Sequence, residues 1–145
     1  MVIVILAISA GVAVIAYDGN DRERTAREAR RFAAALEHAA ARAQVRGETL
    51  GASSSGNGWR FWRRDGAGQW APVTDDEVLA PHALPSATTL AATAYGGQAL
   101  DAEAIVPLRP TGRNEPYVFL LTAGEERLTL AADPLNRVAV APAAP

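Results

Sequence analysis

Residues 1–17 read Met1-Val-Ile-Val-Ile-Leu-Ala-Ile-Ser-Ala-Gly-Val-Ala-Val-Ile-Ala-Tyr17, a run without a charge whose only side chain more polar than tyrosine is Ser9. A helix of this length reaches about 26 Å, slightly less than the ~30 Å hydrocarbon core that about 20 residues would span. A cleaved signal peptide wants a basic n-region, a shorter apolar core and a small-x-small site. No Arg or Lys precedes the run, and its apolar pattern passes through Ala10–Ala16 into a helical sequence. The run therefore reads as a retained helix, hydrophobic all round.

Working outward, Asp18-Gly19-Asn20-Asp21 favours caps and turns and predicts a break or kink. From Arg22 the residues Ala29, Phe32, Ala33, Leu36, Ala40 and Ala43 recur at helical spacing as one apolar stripe, with Arg27, Arg30, Arg31, Glu37 and Arg42 mostly off it. Glu23–Arg27 and Glu28–Arg31 are favourable intrahelical pairs. Gly47 is a good stop. The stripe is thin and Ala-rich, so this helix has to lie on something else, and Phe32, Leu36 and Ala40 are the expected helix–sheet contacts.

Beyond Gly47 the period shortens. Gly51–Gly58 (GASSSGNG) reads as a flexible turn. Trp59–Arg63 alternates as a strand, Arg64-Asp65-Gly66-Ala67-Gly68 turns, and Gln69–Ala71 returns as the second arm of a hairpin closed off by Pro72. Asp75–Pro85 reads as a surface connection with Val78, Leu79 and Leu84 on the core. Ser86–Tyr95 and Glu103–Leu108 are strand-like, and Gly96-Gly97 and Pro110–Pro116 are loops. Tyr117–Thr122, Arg127–Ala132 and Arg137–Ala141 are three runs joined by short turns, an antiparallel meander. The tail 142–145 is expected to be disordered. The prediction is α+β: a long N-terminal α-helix, apolar in residues 1–17 and amphipathic over 18–47, packed on a small antiparallel β domain over 48–141.

Composition narrows the function. The 145 residues suit one domain. Net charge is -2 with no basic block, which disfavours nucleic acid as a partner. All fourteen basic residues are Arg, read as compositional bias. Without Cys there are no disulfides and no thiolate chemistry. His38 and His82 lack metal spacing, and His38 is read as a surface residue. Asp75-Asp76-Glu77 lacks the alternating ligands and central Gly of a calcium loop. Ser53-Ser54-Ser55 has no elbow motif and no base. No nucleophile, base and oxyanion site assemble, so no enzyme, cofactor, metal or small-molecule substrate is expected. Trp59, Phe61, Trp62 and Trp70, interleaved with Arg60, Arg63 and Arg64, are a possible contact surface. Their competing reading is core with Arg–aromatic packing.

Four segments together carry a resemblance: the apolar opening, REARRFAAALEHAAARAQVRGETLG (27–51), WRFWRRDGAGQWAPVTDDEVLAPHALP (59–85) and YVFLLTAGEERLTL (117–130). The chain resembles the type IV pilin-like proteins over nearly its full length, and most closely the H-type minor pseudopilins of bacterial type II secretion systems. The helix running into R-G-x-x-L-G, the aromatic hairpin and D-D-x-x-L-x-P point to the H type. The resemblance implies a pilin-like fold and a structural subunit of the periplasmic pseudopilus, linking a tip complex to the filament body and helping export folded proteins across the outer membrane. It implies other pseudopilins as partners, major and tip, with inner-membrane lipid before assembly. The N-terminus would be cytoplasmic, with one membrane pass and residues 26–145 in the periplasm.

It also implies a basic leader and a Gly-Phe-Thr-Leu-Ile-Glu-like junction, cut and methylated by a prepilin peptidase. Roughly six mature residues ahead of Met1 would bring the run to the ~20 a span needs. Helix packing in the filament would use the small residues Ala7, Ser9, Ala10, Gly11 and Ala13. A minor pilin of a type IV pilus, touching DNA through the Trp/Arg hairpin, stays open as the alternative.

Overall fold

The computed structural model describes residues 2–55 and 57–143, with side chains from residue 22 onward. One helix, α1 (Val2–Arg46), runs for 45 residues, about 67 Å at 1.5 Å per residue. It passes through Asp18–Asp21 without interruption, where the cap-forming residues predict a break. Extending an existing helix avoids the nucleation cost that a second helix would pay, and that outweighs the weak propensities of four residues. The helix ends as its sequence requires. Gly47 takes φ +65°, and the N–H of Glu48 donates to the carbonyl of Ala43 at 3.1 Å, the six-to-one bond of a Schellman stop.

Among the described residues the strands form two antiparallel sheets. Sheet A contains β1 (Leu50–Ser54), β2 (Gly58–Arg64), β3 (Trp70–Pro72), β4 (His82–Ala83) and β7 (Val106–Leu108). Its order is β3-β2-β1-β7, with β4 beside β2. Sheet B holds β5 (Thr88–Tyr95), β6 (Gln98–Ala99), β8 (Tyr117–Ala123), β9 (Glu126–Ala132) and β10 (Val138–Pro142), in the order β10-β9-β8-β5-β6. The aromatic hairpin pairs Arg64 with Trp70 and Trp62 with Pro72, and the β8-β9-β10 meander is in register from Tyr117↔Ala132 to Val138↔Ala132.

Several expectations are corrected. Gly51–Ser54 is no turn but most of β1, the strand between β2 and β7, and all five of its residues are buried. Its residues are small because large neighbours lie on them, and a Cβ on Gly51 would stand 2.5 Å from Ile105 Cγ2. The 75–85 connection buries Leu79 and Leu84 but leaves Val78 51 % exposed, because the turn from Asp76 to Leu79 points successive side chains to opposite sides. The strand expected over Glu103–Leu108 is confined to its last three residues, since a turn closed by the Ala104 N–H and the Asp101 carbonyl occupies its start. Pro142 belongs to β10 and the Ala143 N–H donates to Arg127 O at 2.8 Å, so the disordered tail does not begin at 142; residues 144–145 lie outside the described residues.

The core sits where α1 meets both sheets. Phe32 is 1 % exposed, with its ring 4.8 Å from Trp59 and 6.2 Å from Phe61 on β2, and 5.0 Å edge-on from Phe119 on β8. Ala29, Ala33, Leu36, Ala39, Ala40 and Ala43 continue this buried face, and their small size lets the helix axis approach the sheets. Phe32→Ala should cost about 3–5 kcal/mol of stability, read by urea unfolding, whereas Val45→Ala at an 86 % exposed site should stay within about 0.5 kcal/mol.

Candidate assembly site

The surface offered to partners is set by which polar groups α1 keeps and which it spends on its own domain. The segment from Val73 to Leu84 lies along the helix as a strap, and ionic contacts tie it down at both ends. At one end His82 Nε2 lies 2.7 Å from Glu28 Oε2, its ring 4.4 Å from that of Trp59. Glu28 thus serves the strap, where helical spacing alone suggests Arg31. At the other end Arg42 is the centre. Its Nε donates to Glu48 at 2.8 Å, its Nη2 lies 2.9 Å from Asp75 Oδ1, and its Nη1 donates to Asp76 Oδ2 at 3.3 Å. Asp75 also takes Arg46 at 3.3 Å, and Asp76 takes His38 at 2.9 Å.

Helical periodicity places Arg42 off the apolar stripe, yet its side chain is only 5 % exposed. The residue is buried because three carboxylates surround it, two of them more than thirty positions away in sequence. Burial by itself would lower the Arg42 pKa, but its hydrogen bonds to the carboxylates of Glu48, Asp75 and Asp76 raise it. Arg42 in turn holds Asp75 below the usual carboxylate range. Asp76 would be raised by its burial, but His38 and Arg42 outweigh that and lower it. Asp75 and Asp76 of the acidic triplet are therefore held by Arg42, Arg46 and His38 of the same chain. Among the described residues no cluster of three or more His, Asp or Glu is placed to hold a metal.

The residues singled out in the sequence separate into three groups. Phe32, Leu36 and Ala40 are buried on the sheet-facing side of α1. Trp59 and Phe61, each 2 % exposed, belong to the core and not to a contact surface, because Phe32 and the facing strand cover that side of β2. Trp62 and Trp70 are on the opposite face and stay half-buried. Trp62 Nε1 donates to Ser53 Oγ at 2.8 Å, and the Arg64 guanidinium lies 4.7 Å above the Trp70 ring. Ser53 and Ser54 are strand residues rather than turn residues, and Ser54 Oγ donates to the Leu90 carbonyl between the sheets. The side chains of Ala7, Ser9, Ala10, Gly11 and Ala13 lie outside the described residues.

Two grooves border the helix. One of about 590 Å³ opens beside Arg22, Arg24 and Glu28, with Glu125 and Glu126 of the β8–β9 turn opposite; one of about 300 Å³ lies between Arg31, Ala34 and the strap, floored by Trp59 and His82. The arrangement supports docking, with a rigid helix held on a two-sheet domain.

Residues 28–142 match the family described as type II transport protein GspH. The chain belongs to this family. None of the curated proteins matches it in sequence. Two structures of the minor pseudopilin EpsH from the type 2 secretion system of Vibrio cholerae share the fold. One, at 16 % identity, has a TM-score of 0.65 over 85 % of this chain and 97 % of that one. The other, at 14 % identity, has a TM-score of 0.63 over 84 % and 98 %. The solution structure of Escherichia coli GspH is similar at 23 % identity, TM-score 0.61, over 82 % of this chain and 89 % of that one. The part of α1 from Glu28 onward, the strap and both sheets fall within the matched region, whereas the first part of α1, including the apolar opening, precedes it.

The depressed Asp75 and Asp76 give the strap a pH dependence. A carboxylate whose folded pKa is lowered contributes stability above its unfolded pKa, near 3.9, and that contribution is lost as pH falls through the folded value. Thermal unfolding followed from pH 7 to pH 2 should therefore show stability dropping below about pH 4. Arg42→Gln should lower the midpoint at pH 7 and flatten that acid-side drop, since Arg42's share in depressing both groups is gone while His38 still acts on Asp76 and Arg46 on Asp75.

Proposed function

We propose that this GspH-family chain is a minor pseudopilin, a structural subunit of the periplasmic pseudopilus through which a type II secretion system exports folded proteins across the outer membrane. The observation that carries the proposal is a single helix with two different jobs. Over residues 22–46 it is welded to the domain by Phe32, Leu36 and the Arg42 clamp, while the sequence over residues 1–17 is apolar on every side.

A helix of that kind has two stable environments. In the inner membrane its apolar half is solvated by lipid as a single span, with the N-terminus cytoplasmic and residues 26–145 in the periplasm. In the filament it packs against the corresponding helices of the major pseudopilin and of the tip minor pseudopilins. Lipid tails are as apolar as leucine, so the exchange is driven by close backbone approach at small residues. Ala7, Ser9, Ala10, Gly11 and Ala13 supply them. The precursor is the substrate of a prepilin peptidase. The chain itself catalyses nothing; its work is to be held at a fixed place among neighbours.

Replacing Ala10 or Gly11 with Leu is expected to lower incorporation into filaments, measured in sheared and pelleted fractions, while the domain keeps its thermal midpoint. Normal incorporation of both variants would sink this account of the helix.

A further inference from the structure

Tryptophan rings reach solvent on the outer face of sheet A. By strand alternation Arg60, Trp62 and Arg64 of β2 point outward there, and β3 adds Trp70 and Pro72. Underneath, β1 presents only Gly51 and Ser53. Trp62 is anchored by its N–H on Ser53, and Trp70 reaches across β2 to Gly51, where an added Cβ would stand 3.0 Å from its ring. Both rings are therefore positioned before any partner arrives, which removes much of the ordering cost of binding.

The charge on this face is one-sided. Arg60 is exposed and pairs with no carboxylate among the described residues, and Arg64, also exposed, lies over Trp70. The nearest acid in sequence, Asp65, spends its Oδ1 on the N–H groups of Ala67 and Gln69, and Asp75 and Asp76 are committed to Arg42, Arg46 and His38. Two guanidinium groups beside two fixed indoles thus remain uncompensated on a chain of net charge -2. Trp and Arg are the residue types that dominate interface energetics, and guanidinium pairs with carboxylate in a two-pronged geometry.

We propose that this face docks a carboxylate-bearing segment of a neighbouring subunit in the same filament, its acids meeting Arg60 and Arg64 and its apolar side chains covering Trp62 and Trp70. The inference rests on the filament role given above. Nucleic acid fits less well, because stacking of successive bases needs open ring faces along a continuous basic groove. Here one indole is tied down through its N–H, the other carries Arg64, and no further arginine extends the path.

The test uses the full-length chain in cells that assemble the secretion system, with a photo-crosslinking side chain in place of Arg60. The expected product is a covalent link to an Asp- or Glu-containing segment of another filament subunit, mapped by mass spectrometry. R64E should cut its yield about tenfold or more through like-charge repulsion. Because this position is exposed, the thermal midpoint should hold, which separates lost docking from lost folding. A link to nucleic acid or lipid, no link from position 60 in assembled filaments, or undiminished yield in R64E overturns the docking proposal alone. Absence of the unsubstituted chain from filaments overturns the filament role and this inference together.

Discussion

One side chain holds the two sheets and the helix in register. Phe32 enters from α1 and touches rings from sheet A, Trp59 and Phe61, and from sheet B, Phe119, which itself meets Tyr117 at 5.9 Å edge-on. Neither sheet is large enough to bury its inner face without cover. The helix supplies that cover, and alanines on both sides of Phe32 bring it close enough for the ring to reach both layers. Tyr117 shows how tightly the site is sealed. It is fully buried, and burial, with a smaller contribution from the charge of Glu37, pushes its hydroxyl well above the ordinary phenol range.

Small residues govern the rest of the packing. Gly51 lowers the floor under Trp70 and Ile105, and Ser53 offers Trp62 a hydrogen-bond acceptor, so β1 serves both faces of sheet A without a bulky side chain on its outer side. The edge of sheet B is managed in a similar local way. The outward N–H of Val138 donates to Glu37 Oε2 at 3.2 Å, and Pro142 at the end of β10 has no N–H to offer. Such an edge is a poor template for pairing with another strand.

The ionic strap adds position more than stability. Asp75 is half exposed and its pairing is screened, whereas Arg42 is buried and has to be matched. The cost of leaving such a cation unpaired is what obliges the Val73–Leu84 segment to follow the helix, with His82 and Glu28 fastening the other end. Covering Trp59 in this way leaves only Trp62 and Trp70 as partly open indoles, so the strap and the outer face of sheet A are two consequences of one choice.

The sequence by itself determines the apolar and amphipathic helical stretches, the stop at Gly47, the aromatic hairpin and the C-terminal meander, while only the structure shows the helix running unbroken through Asp18–Asp21. Each is a local matter of period and turn chemistry. The same local logic points to Phe32, Leu36 and Ala40 as the buried face, because a 3.6-residue stripe has no other use in water. It also carries the family likeness, since the motifs behind it are short and contiguous. Tertiary structure alone decides the remainder. GASS looks like a turn because small residues carry no hydrophobic signal, and only the weight of Trp70 and Ile105 above it explains a central strand. Arg42 looks solvated because periodicity counts charge as outward-facing, and only carboxylates folded back from the strap make its burial affordable. The four aromatic residues of the hairpin are alike as letters, and the side of β2 that Phe32 occupies is what sends Trp59 and Phe61 into the core and leaves Trp62 and Trp70 at the surface.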